Sequence, residues 1–300
     1  MTRQTTDPVA PSIRSASDSD VGQARSANED SCELLSRADG THLLVVADGM
    51  GGHRGGATAS STAVTTIATI VEESAPGNPG DTLRHAIEVA NARIYEMAQN
   101  DRQLEGMGTT VVAFLLDAPQ YASVAHVGDS RAYRLRQGRL ETLTTDHSVV
   151  AEMHRRGLIS ADEAAVHPRR NEILRSVGAE RYVEIEVADV DVAPGDRFVL
   201  CSDGLSGVVG DDDIAAVVRS EPPDGAVETL IRLANEAGGP DNITVQVLSI
   251  PAATTPLELS GSSGRVTDES RPEQPKMPRL GMALGAIALA IGAWLLWQQM

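Results

Sequence analysis

Leu43-Leu44-Val45-Val46-Ala47-Asp48-Gly49-Met50-Gly51-Gly52-His53 is an apolar run that stops at an aspartate followed by glycines. Five apolar residues, β-branched at the centre and bounded by a turn signal, read as a buried strand. The strand end fixes where the Asp48 side chain stands. The adjacent Gly49 lets a metal ion or a phosphate approach the backbone without meeting a Cβ atom. Three more aspartates stand where a strand-like run meets a glycine: Asp129 in VAHVGDSRAY, Asp203 in FVLCSDGL and Asp241 in GGPDNITVQV. Buried, unpaired carboxylates cost on the order of several kcal/mol each, so four gathered in one place require cations among them. The alternative is that each aspartate caps or turns its own strand.

Around that run the chain alternates strands and helices. THLLVVAD, TTVVAFLLD, YASVAHVG, RAYRLR, YVEIEVADVDV, RFVLCS and NITVQVLSI are short β-rich runs bounded by Gly, Pro, Asp or Asn. Ala-rich stretches between Gly55 and Glu73 and between Asp81 and Asn100 carry apolar residues at helical spacing. Further helices are expected over about 146–156, 211–219 and 224–237. The short connection Ala118–Gln120 and the Gln-Gly turn between Arg134 and Leu140 make neighbouring strands antiparallel. The pattern predicts an α+β fold, a pair of antiparallel sheets with helices outside.

The ends differ from this middle. Residues 1–17, MTRQTTDPVAPSIRSAS, are polar, have no apolar period and lack the apolar region of a signal peptide; they read as a disordered tail. A catalytic domain is expected over 18–250. Residues 251–279 are rich in Pro, Ser, Gly and charge and read as a flexible linker. Leu280 to Trp297, LGMALGAIALAIGAWLLW, carries no charge. At 1.5 Å per residue it makes roughly 27 Å of helix, just enough to span a bilayer. Lys276 and Arg279 before it and Trp294 and Trp297 near its far end place the body of the protein on the cytoplasmic side of a cell membrane, held by a single C-terminal pass. The alternative is a buried C-terminal core helix.

A formal net charge of −17 argues against nucleic acid as a partner. Cys32 and Cys201 both lie in apolar stretches and read as small core residues rather than a disulfide framework.

Taken in order, Arg25 with Asn28-Glu29-Asp30, Asp48-Gly49-Met50-Gly51-Gly52-His53, Gly106-Met107-Gly108-Thr109-Thr110, Gly128-Asp129-Ser130-Arg131, Asp146-His147, Ser202-Asp203-Gly204-Leu205 and Asp241-Asn242-Ile243-Thr244 resemble the bacterial metal-dependent protein Ser/Thr phosphatases of the PPM class, also called type 2C. The resemblance runs from about residue 20 to 250. It implies a four-layer α-β-β-α sandwich with metals in a cleft at one edge. It assigns Asp48 as a ligand shared by two metals, the Gly49 carbonyl as a ligand to one, and Asp203 and Asp241 to the other. Asp129 matches a residue used with Asp203 for a third, weaker metal, and Glu29 and Asp30 match positions that contact metal-bound water.

The residues support that chemistry independently. An all-oxygen, carboxylate-rich site selects hard divalent ions, Mg²⁺ or Mn²⁺, over Zn²⁺. Two such ions about 3.5–4 Å apart can activate a bridging water for attack on phosphorus. The phosphate needs a fork of donors, for which Arg25 is the candidate. Eukaryotic members place a proton-donating His two residues after the shared aspartate, where this chain has Met50; His53 is the nearest titratable substitute, the alternatives being that His53 only structures its loop or that a metal-bound water is the acid. His126 and His147 read as structural.

The insert between Asp146 and Glu180 corresponds to the family's flap. Its Arg155, Arg156, Arg169 and Arg170 form a basic exception in an acidic chain, either a patch for acidic substrate segments or ordinary solvated charge. The expected partners are phosphorylated proteins, Ser/Thr kinases and their substrates, and the membrane. The rivals are a catalytically silent phosphoprotein-binding scaffold and a narrow phosphatase for one regulator.

Overall fold

Strands that are apolar at every position need cover on both faces, and the chain provides it in four layers. The structure is a computed structural model in which residues 12–51, 54–117 and 121–252 are described. In chain order the strands are β1 (Arg14–Asp20), β2 (Ser31–Ser36), β3 (His42–Ala47), β4 (Gly49–Met50), β5 (Gly108–Thr109), β6 (Val111–Leu116), β7 (Tyr121–Val127), β8 (Arg131–Arg136), β9 (Arg139–Thr142), β10 (Glu186–Asp191), β11 (Arg197–Cys201) and β12 (Ile243–Ser249). The helices are α1 (Gly55–Glu73), α2 (Pro79–Asn100), α3 (Val149–Arg155), α4 (Ala161–Ala165), α5 (Asp203–Ser206), α6 (Asp211–Ser220) and α7 (Pro223–Glu236). One sheet runs β1-β12-β11-β8-β9 and the other β10-β7-β6-β3-β2, with every pairing antiparallel. The expected two-sheet sandwich is what forms.

Side chains alternate across each strand, so each central strand feeds two cores. Leu43, Val45 and Ala47 of β3 and Val111, Ala113 and Leu115 of β6 pack with α1 and α2. Their alternates, Leu44, Val46, Val112, Phe114 and Leu116, face the space between the sheets. On the second sheet, Val199 and Cys201 of β11 and Val245 and Val247 of β12 pack with α6 and α7. Phe198 and Leu200 complete the middle layer. Cys201 is therefore a core residue as expected, while Cys32 is only half-buried and packs at the margin of the middle layer.

Three sequence expectations shift. Arg14 to Ser17 belong to β1 rather than to a tail, because this polar strand is held by its backbone ladder to β12, from Arg14 opposite Ser249 to Asp20 opposite Ile243, rather than by an apolar face. SCELLS is a strand at the edge of the β10-β7-β6-β3-β2 sheet, paired along its length with β3. The strand read from YVEIEVADVDV is shorter, Glu186–Asp191, with Tyr182 and Glu184 exposed before it. Residues 1–11, His53, the Ala118–Gln120 connection, the linker from 253 and the apolar segment 280–297 lie outside the described residues. No helix among the described residues is long and apolar enough to cross a membrane.

Phe114 and Phe198 meet in the middle layer with ring centroids 4.5 Å apart, and neither ring is exposed. Phe114→Ala is expected to cost about 3–5 kcal/mol by leaving a cavity between the sheets. Urea denaturation with Mn²⁺ omitted measures it; a loss under about 1 kcal/mol would mean that the sheets close over the gap.

Candidate active site

Asp48 follows the last residue of β3, and hydrogen bonds fix its main chain. Its N–H donates to Thr110 Oγ1 at 3.0 Å, and its carbonyl accepts the Thr110 N–H and the Thr109 hydroxyl, both at 2.8 Å. The Gly106–Thr110 motif thus serves to hold this aspartate. A Cβ on Gly49 would collide with the carbonyl oxygens of Gly56 and Glu29, so glycine here lets three chain segments converge. Asp129 follows Gly128, which turns the chain out of β7 at φ +105°. Asp203 opens α5 immediately after Ser202, whose hydroxyl accepts the Thr244 N–H at 3.0 Å. Asp241 stands ahead of β12, its Oδ1 accepting the Asn242 N–H at 2.9 Å.

Asn242 ties the second sheet to the loop that carries Arg25, Glu29 and Asp30. Its side-chain amide donates to the carbonyls of Val21 and Ala27, both at 3.0 Å, and its Oδ1 accepts the Glu29 N–H at 2.8 Å. Asp30 is held by a directed chain. Asn28 Nδ2 donates to Ser19 Oγ at 2.8 Å, Ser19 meets Thr244 Oγ1 at 2.7 Å, and Thr244 donates to Asp30 Oδ2 at 2.6 Å. Because the Thr244 proton goes to Asp30, Ser19 must be the donor to Thr244. Asn28 and Thr244 were legible only as parts of a motif, and Ser19 not at all.

The structure brings Asp48, Asp129, Asp203, Asp241, Arg25, Glu29 and Gly49 onto one cavity of about 390 Å³. The carboxylates disturb one another strongly. Burial, then Asp30, Asp203, Asp129 and Asp241, hold the Asp48 carboxyl well above the usual range. Burial and Asp241 raise Asp203, burial and Asp203 raise Asp129 to about 7, and burial raises Asp30 to about 6. Asp30 Oδ1 and Asp203 Oδ1 are buried without a hydrogen-bond partner. Acceptor oxygens crowded together with no donors fit a hard divalent cation. Arg25, more than half exposed, reaches Asp241 Oδ2 at 2.7 Å and leaves further N–H donors at the cavity rim. Asp146 is engaged elsewhere, in a two-armed pair with Arg131 at 2.9 and 2.7 Å.

The flap contributes Asn171 and Ile173 to the cavity wall, a pair that no sequence period marked. Its basic patch is largely neutralised: Arg155 and Arg156 pair with Glu152, and Arg169 pairs with Glu172 at 2.7 Å. Arg170 has no acidic partner among the described residues.

His126 and His147 stack with ring centroids 4.6 Å apart, and with Glu186 they place three potential ligand atoms within 4.8 Å of one another. Their hydrogen bonds oppose a metal there. His147 Nδ1 accepts the Gly128 N–H at 3.2 Å, so its proton lies on Nε2, 3.3 Å from Glu186 Oε1. His126 Nε2 faces the Thr145 carbonyl at 2.8 Å and so carries a proton too. The structural role expected for both is what these contacts give them: they fasten the flap root to β7 and to Glu186.

A family profile described as protein phosphatase 2C matches residues 22–244. The chain belongs to the protein phosphatase 2C family. Over 231 residues the phosphatase is 38% identical to the serine/threonine phosphatase stp of Listeria monocytogenes, covering 75% of this chain and 91% of that one. It is 36% identical to the protein phosphatase PhpP of Streptococcus pneumoniae, covering 77% and 95%. The solved Mycobacterium tuberculosis serine/threonine phosphatase PstP/Ppp superposes with a TM-score of 0.74 at 36% identity, covering 80% of this chain and 99% of that one. The catalytic domain of a serine/threonine protein phosphatase PstP, solved with two manganese ions, superposes with a TM-score of 0.72 at 36% identity over 80% and 98%.

In this phosphatase Asp48, the Gly49 carbonyl, Asp203 and Asp241 stand on one cavity where they could hold Mn²⁺ or Mg²⁺, which when bound would supply Lewis acidity and the nucleophilic water. The chain itself positions the ligands, presents Arg25 to a phosphate, and closes one side of the cavity with Asn171 and Ile173.

Thr244→Val removes the hydroxyl that donates to Asp30 Oδ2 while keeping the side-chain shape. Calorimetric titration should show Mn²⁺ binding weakened about threefold to thirtyfold, with Thr244→Ser restoring most of it. Equal affinities in all three proteins would show that Asp30 needs no such hold.

Raised carboxyl values give a signed pH effect. Between about pH 4 and 7 the folded metal-free protein binds protons at Asp30 and Asp129 more tightly than the unfolded chain, so their contribution to stability falls as pH rises. His42, His126 and His147, lowered by burial, act in the opposite sense in an overlapping window. The comparison is therefore between wild type and Asp129→Asn, both metal-free. The variant should gain in urea midpoint relative to wild type as pH goes from about 5 to about 8. A difference that does not change with pH would contradict the raised value.

Proposed function

We propose that this phosphatase releases phosphate from phosphoserine and phosphothreonine in proteins, opposing Ser/Thr kinases from the cytoplasmic face of a membrane. The observation that carries the hydrolytic reading is the ring of four aspartates with Arg25 at its rim, all on one cavity. Such a ring suits a two-metal displacement, and a guanidinium fork suits the non-bridging oxygens of a phosphate ester. The named activities of the relatives support the choice of phosphoserine and phosphothreonine. Membrane attachment is supported by the uncharged run Leu280 to Trp297 behind a polar linker.

Asp48→Asn, Asp203→Asn and Asp241→Asn are each expected to lower kcat on a phosphothreonine peptide by orders of magnitude in Mn²⁺, because each removes a charge from the ligand set. Chelation of the wild type should do the same. Retention of more than about a tenth of the activity by all three folded variants would overturn the assignment.

Full-length protein should pellet with membranes and resist extraction by high salt and carbonate, since burial of an apolar span is insensitive to ionic screening. A chain ending at Ala252 should be soluble and retain peptide activity. Full-length protein in the soluble fraction would count against the anchor.

A further inference from the structure

Ile173 lines the catalytic cavity and also a second cavity of about 340 Å³. Its segment is held firmly. Val149 N–H donates to the Glu172 carbonyl at 2.8 Å, Leu174 N–H donates to the His147 carbonyl at 2.6 Å, and Ile173 bridges to Ser148. The wall shared by the two cavities is thus a hydrogen-bonded stretch of flap rather than a loose loop.

The second cavity is bordered by Leu174, Tyr182, Val183 and Ala179. Leu174 is 55% exposed and Tyr182 79% exposed, two of the few large apolar side chains among the described residues that stand in solvent. An exposed leucine alone needs no explanation. Two such side chains on one concavity that shares Ile173 with a reaction site form the kind of surface that binds a ligand. The charges at this rim compensate: Arg175 pairs with Glu184 at 2.8 Å. Arg181 lies over the Tyr182 ring, 5.7 Å from its centroid, and restrains it. The cavity therefore lacks the free cationic fork that would make it a second phosphate site, and among its polar and charged neighbours Leu174, Val183 and Tyr182 supply its apolar contacts.

The shared wall at Ile173, which sets the second cavity next to the catalytic one, decides the occupant. A phosphoresidue placed at Arg25 and Asp48 delivers its chain neighbours to the surrounding walls, and an extended chain advances about 3.3 Å per residue with side chains alternating in direction. We propose that the cavity beyond Ile173 is a specificity subsite, which takes a large apolar side chain lying within about three residues of the phosphoresidue in the substrate protein. This rests on the protein-phosphatase reading given above. Leu174 and Tyr182 grip that side chain, and the paired rim charges disfavour an unpaired Lys or Glu in its place.

The test uses the full chain with Mn²⁺ and a set of phosphothreonine peptides. Leu, Phe, Gly, Lys or Glu is placed in turn at each of the three positions on either side of the phosphothreonine. At one position or more, Leu or Phe should raise kcat/KM about tenfold over Gly, and Lys and Glu should not. Leu174→Ser and Tyr182→Ser should bring that ratio toward one, while Tyr182→Phe keeps it. A purely structural role for these residues would lower kcat/KM on every peptide alike and leave the ratio unchanged, which overturns the proposal. Hydrolysis of all wild-type peptides without preference overturns the subsite alone. Hydrolysis of a small aryl phosphate but of no peptide overturns the protein-phosphatase reading and the subsite with it.

Discussion

The carboxylates of Asp30, Asp48, Asp129, Asp203 and Asp241 are held closer together than their charges tolerate, and much of the local architecture resists their separation. Burial comes first among the causes that raise four of these groups, and the neighbouring aspartates add to it. Left to themselves, such side chains would swing apart or take up protons. The main chain of Asp48 cannot move because Thr109 and Thr110 grip it from both its N–H and its carbonyl. Asp30 is held by Thr244, and the loop behind it by Asn242. Acceptor oxygens crowded in this way suit a divalent cation among them.

The ligands also come from both sheets. Asp48 and Asp129 leave β3 and β7 of one sheet, whereas Asp203 follows β11 and Asp241 precedes β12 of the other. Spacing within the site is therefore set by the layer of side chains between the sheets, with Phe114 against Phe198 at its centre. This connects packing to chemistry across the whole domain, since repacking that middle layer would move one pair of carboxylates relative to the other.

How well each feature could be read from the sequence follows from how local its cause is. The central strands were readable because both faces are buried, so apolar residues run without interruption, and the clustered aspartates because each stands at the end of such a run, three of them beside a glycine. β1 was not, since Arg14–Asp20 is polar and exists through pairing with a strand more than two hundred residues away in sequence. Ser19 escaped notice for the same reason: its partner Thr244 is distant in the chain. Asn171 and Ile173 lie on an irregular segment whose direction depends on its pairing with His147 to Val149, and no period announces that. The flap arginines were visible as a basic cluster, but their neutralisation by Glu152 and Glu172 depends on side-chain geometry.

That neutralisation bears on how a substrate is chosen. Long-range attraction of a phosphorylated, acidic segment requires uncompensated positive charge, and this chain has a net charge of −17 with most of its flap arginines paired. Arg25 at the cavity rim is itself partly engaged by Asp241. Charge can therefore identify the phosphate once it has arrived, but it contributes little to telling one phosphoprotein from another. Discrimination must come from short-range contact around the phosphate, and on the flap side of the cavity the surface offered for that contact includes the apolar side chains of Ile173, Leu174 and Tyr182. The clustered aspartates are constrained by one another and leave little room for variation. The flap wall carries no such constraint, so it is there that a phosphatase of this build can change its substrates without disturbing its chemistry.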